Sequence, residues 1–214
     1  MNLRLTLLLL ISLSLSSCIT IIESYTFHND GSGQMEYIVD MSEISSLMKM
    51  GGGLDEQDDL MGQSKEEWGK KLAGIQGITN TSTVFDEDEY MFTVSFDFSS
   101  PDALNKALND VLQIKSEEKI FHWNGSMISR KHQPDTQMEL LNEMKGDEQS
   151  EMVMSLFQDM KYVCKYQFDK KVKVFYSSPA IGFDKSGKKE WVLETNMEQL
   201  VENPTALNVG IVLR

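Results

Sequence analysis

The sequence predicts an α+β fold, an antiparallel sheet built from hairpins with several short helices gathered on one face. Three observations point there. Segments of strict apolar/polar alternation come in pairs joined by short Gly- or Asx-rich turns. Stretches of helical period, headed by capping residues, lie between the pairs. Hairpin and helix then follow one another three times along the chain, an order that places helices over a hairpin-built sheet.

The elements follow in order. Ser24 to His28 and Gln34 to Met41 alternate around Asn29-Asp30-Gly31-Ser32-Gly33, a composition suited to a tight turn. Ile44, Leu47 and Met48 have helical spacing, and Gly51-Gly52-Gly53 ends that run. Ser64-Lys65-Glu66-Glu67 has the form of a capping box, with Trp68, Leu72 and Ile75 at i, i+4 and i+7 behind it. Ile78 to Phe85 and Tyr90 to Phe98 form the second hairpin, in which Phe92, Val94, Phe96 and Phe98 share a face. Ser100-Pro101 opens a helix striped by Leu104, Ala107, Leu108, Val111 and Leu112.

Lys119 to Trp123 and Met127 to Lys131 flank Asn124-Gly125, a strong signal for a tight hairpin turn. Thr136 caps a predicted helix ending at Gly146, and Asp147 caps another carrying Met152, Val153, Leu156, Phe157 and Met160. The last third reads as strands over Lys161 to Phe168, Val172 to Ser177, Glu190 to Thr195 and Ala206 to Leu213, with Asp184-Lys185-Ser186-Gly187 as a turn. Short helices on one side of the sheet would leave a groove. Its expected apolar lining is Trp68, Leu72, Met152, Leu156, Phe157 and Met160.

The N-terminus carries a different kind of signal. Arg4 supplies a positive charge, and Leu5 to Leu15 form an apolar run broken only by Thr6, Ser12 and Ser14. A bilayer span takes about 20 apolar residues, so this run fits the apolar region of a signal peptide. Leu15-Ser16-Ser17-Cys18 then resembles a bacterial lipobox, in which a signal peptidase recognises the Leu and the two small residues and the cysteine sulfur carries lipid. The resemblance implies a signal peptide over residues 1–17, a mature first residue Cys18 and a single α+β domain over 18–214. Strand-like sequence starts almost at once after Cys18, so the body is expected to lie close to the membrane. With neither Asp directly after the cysteine nor an acidic run there, the expected location is the outer membrane, facing the periplasm.

Composition bounds the chemistry. The chain has 20 basic and 33 acidic residues for a formal net charge of -13, and such a body repels nucleic acid and anionic lipid head groups. Its acidic runs, Asp55 to Asp59, Asp86 to Glu89 and Asp147-Glu148, lack the pattern of a calcium loop and read as solvated loops. The second of two cysteines, Cys164, lies in an alternating stretch as a small buried hydrophobe. His28, His122 and His132 lack metal-ligand spacing, and no nucleophile elbow or phosphate-binding glycine loop is present. Among the 14 methionines, Met48-x-Met50 and Met152-x-Met154 are pairs of soft thioether ligands suited to copper, but Met152 and Met160 lie at helical spacing with Leu156 and Phe157, which fits a deformable apolar face better. No metal, cofactor or enzymatic activity is expected.

The early strand with Asp30-Gly31-Ser32-Gly33, Phe96-x-Phe98 followed by Pro101-Asp102-Ala103-Leu104-Asn105, and Gly187 leading to Trp191 together resemble the LppM-type domain of bacterial lipoproteins. That resemblance implies glycolipid binding in an α+β domain, although this chain ends at Leu213-Arg214 without the C-terminal transmembrane helix of some members. The expected function is a noncatalytic envelope lipoprotein binding an apolar or amphipathic ligand, or else a structural or assembly lipoprotein docking on another envelope protein.

Overall fold

The computed structural model describes residues 19–45, 65–112, 119–131, 160–179 and 181–214. Alternation dictates most of what is seen. Strands β1 (Thr20–Phe27) and β2 (Gly33–Asp40) form the first hairpin, β3 (Ile78–Asp86) and β4 (Met91–Phe98) the second, and β5 (Phe121–Trp123) and β6 (Met127–Arg130) the third. Then come β7 (Lys161–Phe168), β8 (Val172–Ser177), β9 (Phe183–Ser186), β10 (Glu190–Asn196) and β11 (Val209–Leu213). The helices are α1 (residues 65–73), α2 (Pro101–Leu112) and α3 (Met197–Glu202). No described helix is long and apolar enough to cross a membrane.

The strands do not make one antiparallel sheet. Sheet A has seven strands in the order β3-β4-β2-β1-β7-β10-β9, and sheet B has four in the order β5-β6-β11-β8. The central pair of sheet A, β1 and β7, runs parallel from Thr20 opposite Lys161 to Phe27 opposite Phe168. The expectation of an α+β fold with helices gathered on one face is therefore corrected: the described chain is mostly β, with few helices, and these do not form a layer. The physical reason is that sheet B takes the place expected of the helices. Phe121 of β5 meets Tyr25 edge-on and Phe27 at a tilt, and Phe175 of β8 stacks on Trp191 of β10 at 4.4 Å. A second correction is local. Asp184 to Ser186 belong to strand β9, paired with β10, and the turn is residues 187–189.

The apolar core lies between the sheets and draws on β1, β2, β4, β7, β10, β11, α2 and α3 in one contiguous cluster. Two local devices hold its rim. Asn105 of α2, 5% exposed, donates to the Phe121 carbonyl at 2.8 Å and accepts from the Phe121 amide at 2.7 Å, so a side-chain amide stands in for a neighbouring strand along β5. Gly33, opposite Phe27 and Phe98, leaves no room for a side chain: a Cβ there would lie 1.8 Å from the Thr26 carbonyl oxygen and 2.6 Å from Phe98. The α2 start is as expected, with the Ser100 hydroxyl accepting from the Ala103 amide at 3.2 Å. The segments around Leu47 and over residues 132–159, with the two helices expected there, lie outside the described residues.

Candidate functional site

The inner face of β1 carries Ile21, Glu23, Tyr25 and Phe27 by the period-2 rule, so its alternation delivers a carboxylate into the core. Glu23 is fully buried. Across the sandwich, β6 delivers Arg130 on the same face as Ile128, and its Nη2 lies 2.7 Å from Glu23 Oε2. Strand β7 adds Tyr162, Cys164 and Tyr166. The Tyr25 hydroxyl donates to Glu23 Oε2 at 2.9 Å, and that of Tyr162 donates to Oε1. Arg130 Nη1 donates to Cys164 Sγ at 2.9 Å and to the Tyr166 hydroxyl at 3.1 Å. The guanidinium also sits over the rings of Tyr25 and Phe121, 5.7 and 5.9 Å from their centroids.

Burial is the first cause of the unusual acidities here. It pushes the Cys164 thiol up to about 12, against the pull of Arg130, and it raises the hydroxyls of Tyr25, Tyr162 and Tyr166. A thiol that high is protonated at any physiological pH and is a poor nucleophile. The cluster binds charge to charge and joins the two sheets. Arg130 Nε is buried without a partner, so even this network leaves one donor unsatisfied.

The outer face of sheet A is polar. Ser24, Thr26, Gln34, Asn80, Ser95 and Asp97 line a shallow groove of about 310 Å³. Asn80 adopts φ 51 at the irregularity between Thr79 and Ser82, a left-handed conformation that Asn tolerates better than most residues. Its amide donates to Asp97 Oδ2 at 2.6 Å. Hydroxyls, amides and the carboxylates of Glu36 and Asp97 equip this face for hydrogen bonding to a polar group.

A third feature lies where the edges of the two sheets meet. Phe175 of β8, Phe183 of β9 and Trp191 of β10 form a three-ring cluster with centroids 4.4 to 5.4 Å apart. Phe183 is 46% exposed, and Lys185 Nζ lies over the Trp191 ring at 5.1 Å.

Of the residues that the sequence singled out, Leu15, Ser16, Ser17 and Cys18 precede the described residues, and β1 begins two residues after Cys18. Trp68 of α1 is half-buried and meets Phe92 edge-on at 5.4 Å and Tyr37 at 6.1 Å. Leu72 and Met160 are buried in the same core cluster, against which Trp68 packs. Met152, Leu156 and Phe157 lie outside the described residues. His28 bonds Asp169 at 3.1 Å, His122 is exposed, and His132 is outside the described residues. Among the described residues no group of His, Cys, Asp and Glu is arranged to hold a metal.

Sequence reasoning missed Glu23 and Arg130. The available signal was a charged residue on the apolar face of each alternating strand, Glu23 between Ile21 and Tyr25, and Arg130 two residues after Ile128. What no local pattern encodes is that these two charges meet, 107 residues apart in the chain.

No family model matches the sequence, and no curated protein matches it. Among solved structures, the NMR structure of the folded domain of LppM from Mycobacterium tuberculosis resembles it with a TM-score of 0.49 and 11% identity, over 93% of this chain and 91% of that one. A likeness at that level assigns neither ligand nor activity.

Proposed function

We propose that the protein is a noncatalytic envelope lipoprotein, lipid-anchored through Cys18 at the outer membrane and facing the periplasm, whose body binds an apolar or amphipathic ligand beside α1. The observation that carries the reading is the position of β1. It is the middle strand of sheet A, and it starts two residues after Cys18. Two extended residues reach about 7 Å, so a lipid on Cys18 ties the core of the domain to the bilayer, and two or three acyl chains make such a tie stable. Noncatalytic character is supported by the sealed position of Cys164 and its raised pKa, which keeps the thiol protonated. Ligand binding is supported by Trp68, whose half-buried ring lies on Phe92 and Tyr37 at the margin of the core. Apolar sites commonly open at such aromatic margins.

A second reading, docking on another envelope protein, has one observation in its favour. Residues 78–98, which form β3 and β4, hold five carboxylates and no basic residue. Such an edge attracts a basic partner.

Metabolic labelling with palmitate tests the anchor: the wild-type chain incorporates label, and Cys18→Ser does not. Equal labelling of the two overturns it. Native mass spectrometry of the mature protein extracted from its membrane tests the ligand. A bound lipid that is lost on Trp68→Ala supports the reading, and a chain free of any lipid beyond the Cys18 anchor overturns it. Loss of one dominant crosslinked protein on reversing charges at Asp86 to Glu89 would favour the docking reading instead.

A further inference from the structure

The charges of this acidic protein are sorted in space. Residues 161–190 hold eight lysines against three carboxylates, in a chain whose formal net charge is -13. Backbone hydrogen bonds gather half of these lysines at one pole. Val172 N donates to Lys188 O at 2.8 Å, Phe168 N to Lys189 O at 3.0 Å, and Arg214 N to Lys171 O at 2.9 Å. The β7–β8 turn, the β9–β10 turn and the last residue therefore meet, bringing together Lys170, Lys171, Lys188, Lys189 and Arg214. All but the half-buried Lys170 are exposed. None of these side chains forms an ion pair among the described residues. Held on two pinned turns and the end of β11, with Asp169 and Glu190 beside them, this local excess of positive charge is a fixed electrostatic feature of the fold.

This pole lies at the far end of the strands from the start of β1. Thr20 pairs with Lys161, while Phe27, seven residues on, pairs with Phe168 beside the basic turns. An eight-residue strand is about 25 Å long. If Cys18 is anchored as proposed above, the basic pole faces away from the anchoring bilayer, because the short link to Thr20 cannot fold back that far. The acidic β3–β4 hairpin is at the opposite edge of the sheet from β9, about 30 Å away at the usual strand spacing. That is several Debye lengths at physiological salt, so its carboxylates scarcely weaken the field at the pole.

We propose that the basic pole docks on an anionic lipid surface apposed to the membrane that carries the protein. Two observations favour lipid. The four side-chain amines are lysines, point charges that suit mobile phosphate head groups; packed protein interfaces favour Arg and are depleted in Lys. Clusters of about four to eight basic residues are the usual size for recognising an anionic lipid leaflet.

The test uses the full chain held in zwitterionic vesicles by its N-terminal segment, to which vesicles of either zwitterionic or anionic lipid are then added. The hold is supplied by coupling Cys18 to a maleimide lipid, which does not require the natural modification, so failure of the anchor, read from palmitate labelling, is distinguishable from failure of the pole. The expected result is clustering with anionic vesicles only, reversed by salt. Lys188→Gln combined with Lys189→Gln should lower the affinity about thirtyfold with no change in melting temperature. Lys70→Gln with Lys71→Gln, on α1, should change nothing. Clustering that ignores lipid charge overturns the proposal. So does protection of Lys188 and Lys189 from acetylation by anionic lipid in the carrier vesicle alone, which would turn the pole to the protein's own membrane. Pelleting with isolated peptidoglycan in the absence of any vesicle response also overturns it and transfers the pole to a wall polymer.

Discussion

Arg130 Nη2 lies 2.7 Å from Glu23 Oε2, with the two side chains 3% and 1% exposed, and this ion pair joins sheet B to sheet A through the middle of an apolar core. A pair so placed has lost its hydration, and its mutual attraction must offset that loss. Removing one partner leaves the other charge buried without its counter-charge. Arg130→Met or Glu23→Gln is expected to cost about 3–5 kcal/mol each, measured by urea unfolding. Glu23→Leu combined with Arg130→Met should regain at least half of that loss. A double variant as unstable as the sum of the single ones would mean that the two residues do not act as a pair.

The acidities around this pair predict how stability depends on pH. The Cys164 thiol is raised from its ordinary 9.0 to about 12 in the folded protein, and the hydroxyls of Tyr25, Tyr162 and Tyr166 are raised above 10.0. A group with a raised folded value keeps its proton in the fold and loses it in the unfolded chain. Its contribution is therefore complete below the unfolded value and is lost as pH rises through the folded value. Stability should fall from about pH 9 upward, by about 1.4 kcal/mol per pH unit for each such proton. Thermal melts between pH 8 and pH 11 read this. Cys164→Ala should make the decline shallower, and an unchanged slope in that variant would remove Cys164 from the account.

Asn105 carries both backbone partners of Phe121 on one side chain. Asn105→Ala leaves a buried N–H and a buried C=O unpaired, at a cost of about 2–4 kcal/mol. Hydrogen exchange at the Phe121 amide should accelerate along with global unfolding or ahead of it. An amide that stays as protected as in the parent protein would show another partner for β5.

At Gly33 the constraint is space. A methyl group would meet the Thr26 carbonyl at 1.8 Å, a backbone atom that cannot turn aside. Gly33→Ala should cost about 3 kcal/mol or more through forced displacement of β1 against β4, seen as a lowered urea midpoint. By contrast, a Cβ at Gly125 would meet nothing within 4 Å, although Gly125 has φ +87. Gly125→Ala should therefore cost only the strain of a left-handed residue, about 1 kcal/mol.

The difference between these sites also shows what can be read locally. The turns at Asn29 to Gly33 and at Asn124-Gly125, the strand pairs they join, and the capped start of α2 follow from residue types a few positions apart. The burial of Cys164 follows from strand alternation alone. The β9 strand escaped because Asp184-Lys185-Ser186 has turn composition, and its pairing with β10 overrides that preference. The Glu23–Arg130 pair escaped because each strand shows only half of it.

By itself, then, the sequence determined the hairpins, the faces that turn inward, the lipobox-like start and the absence of a recognisable catalytic motif. These are properties of neighbours along the chain, where spacing and side-chain chemistry act directly. Only the tertiary structure decided that β1 runs parallel to β7, that a second sheet covers the first in place of helices, and that the lysines of two turns meet Arg214 at one pole. Such contacts join segments many residues apart. They are selected by the burial of whole faces at once, where loop closure and core packing are settled together.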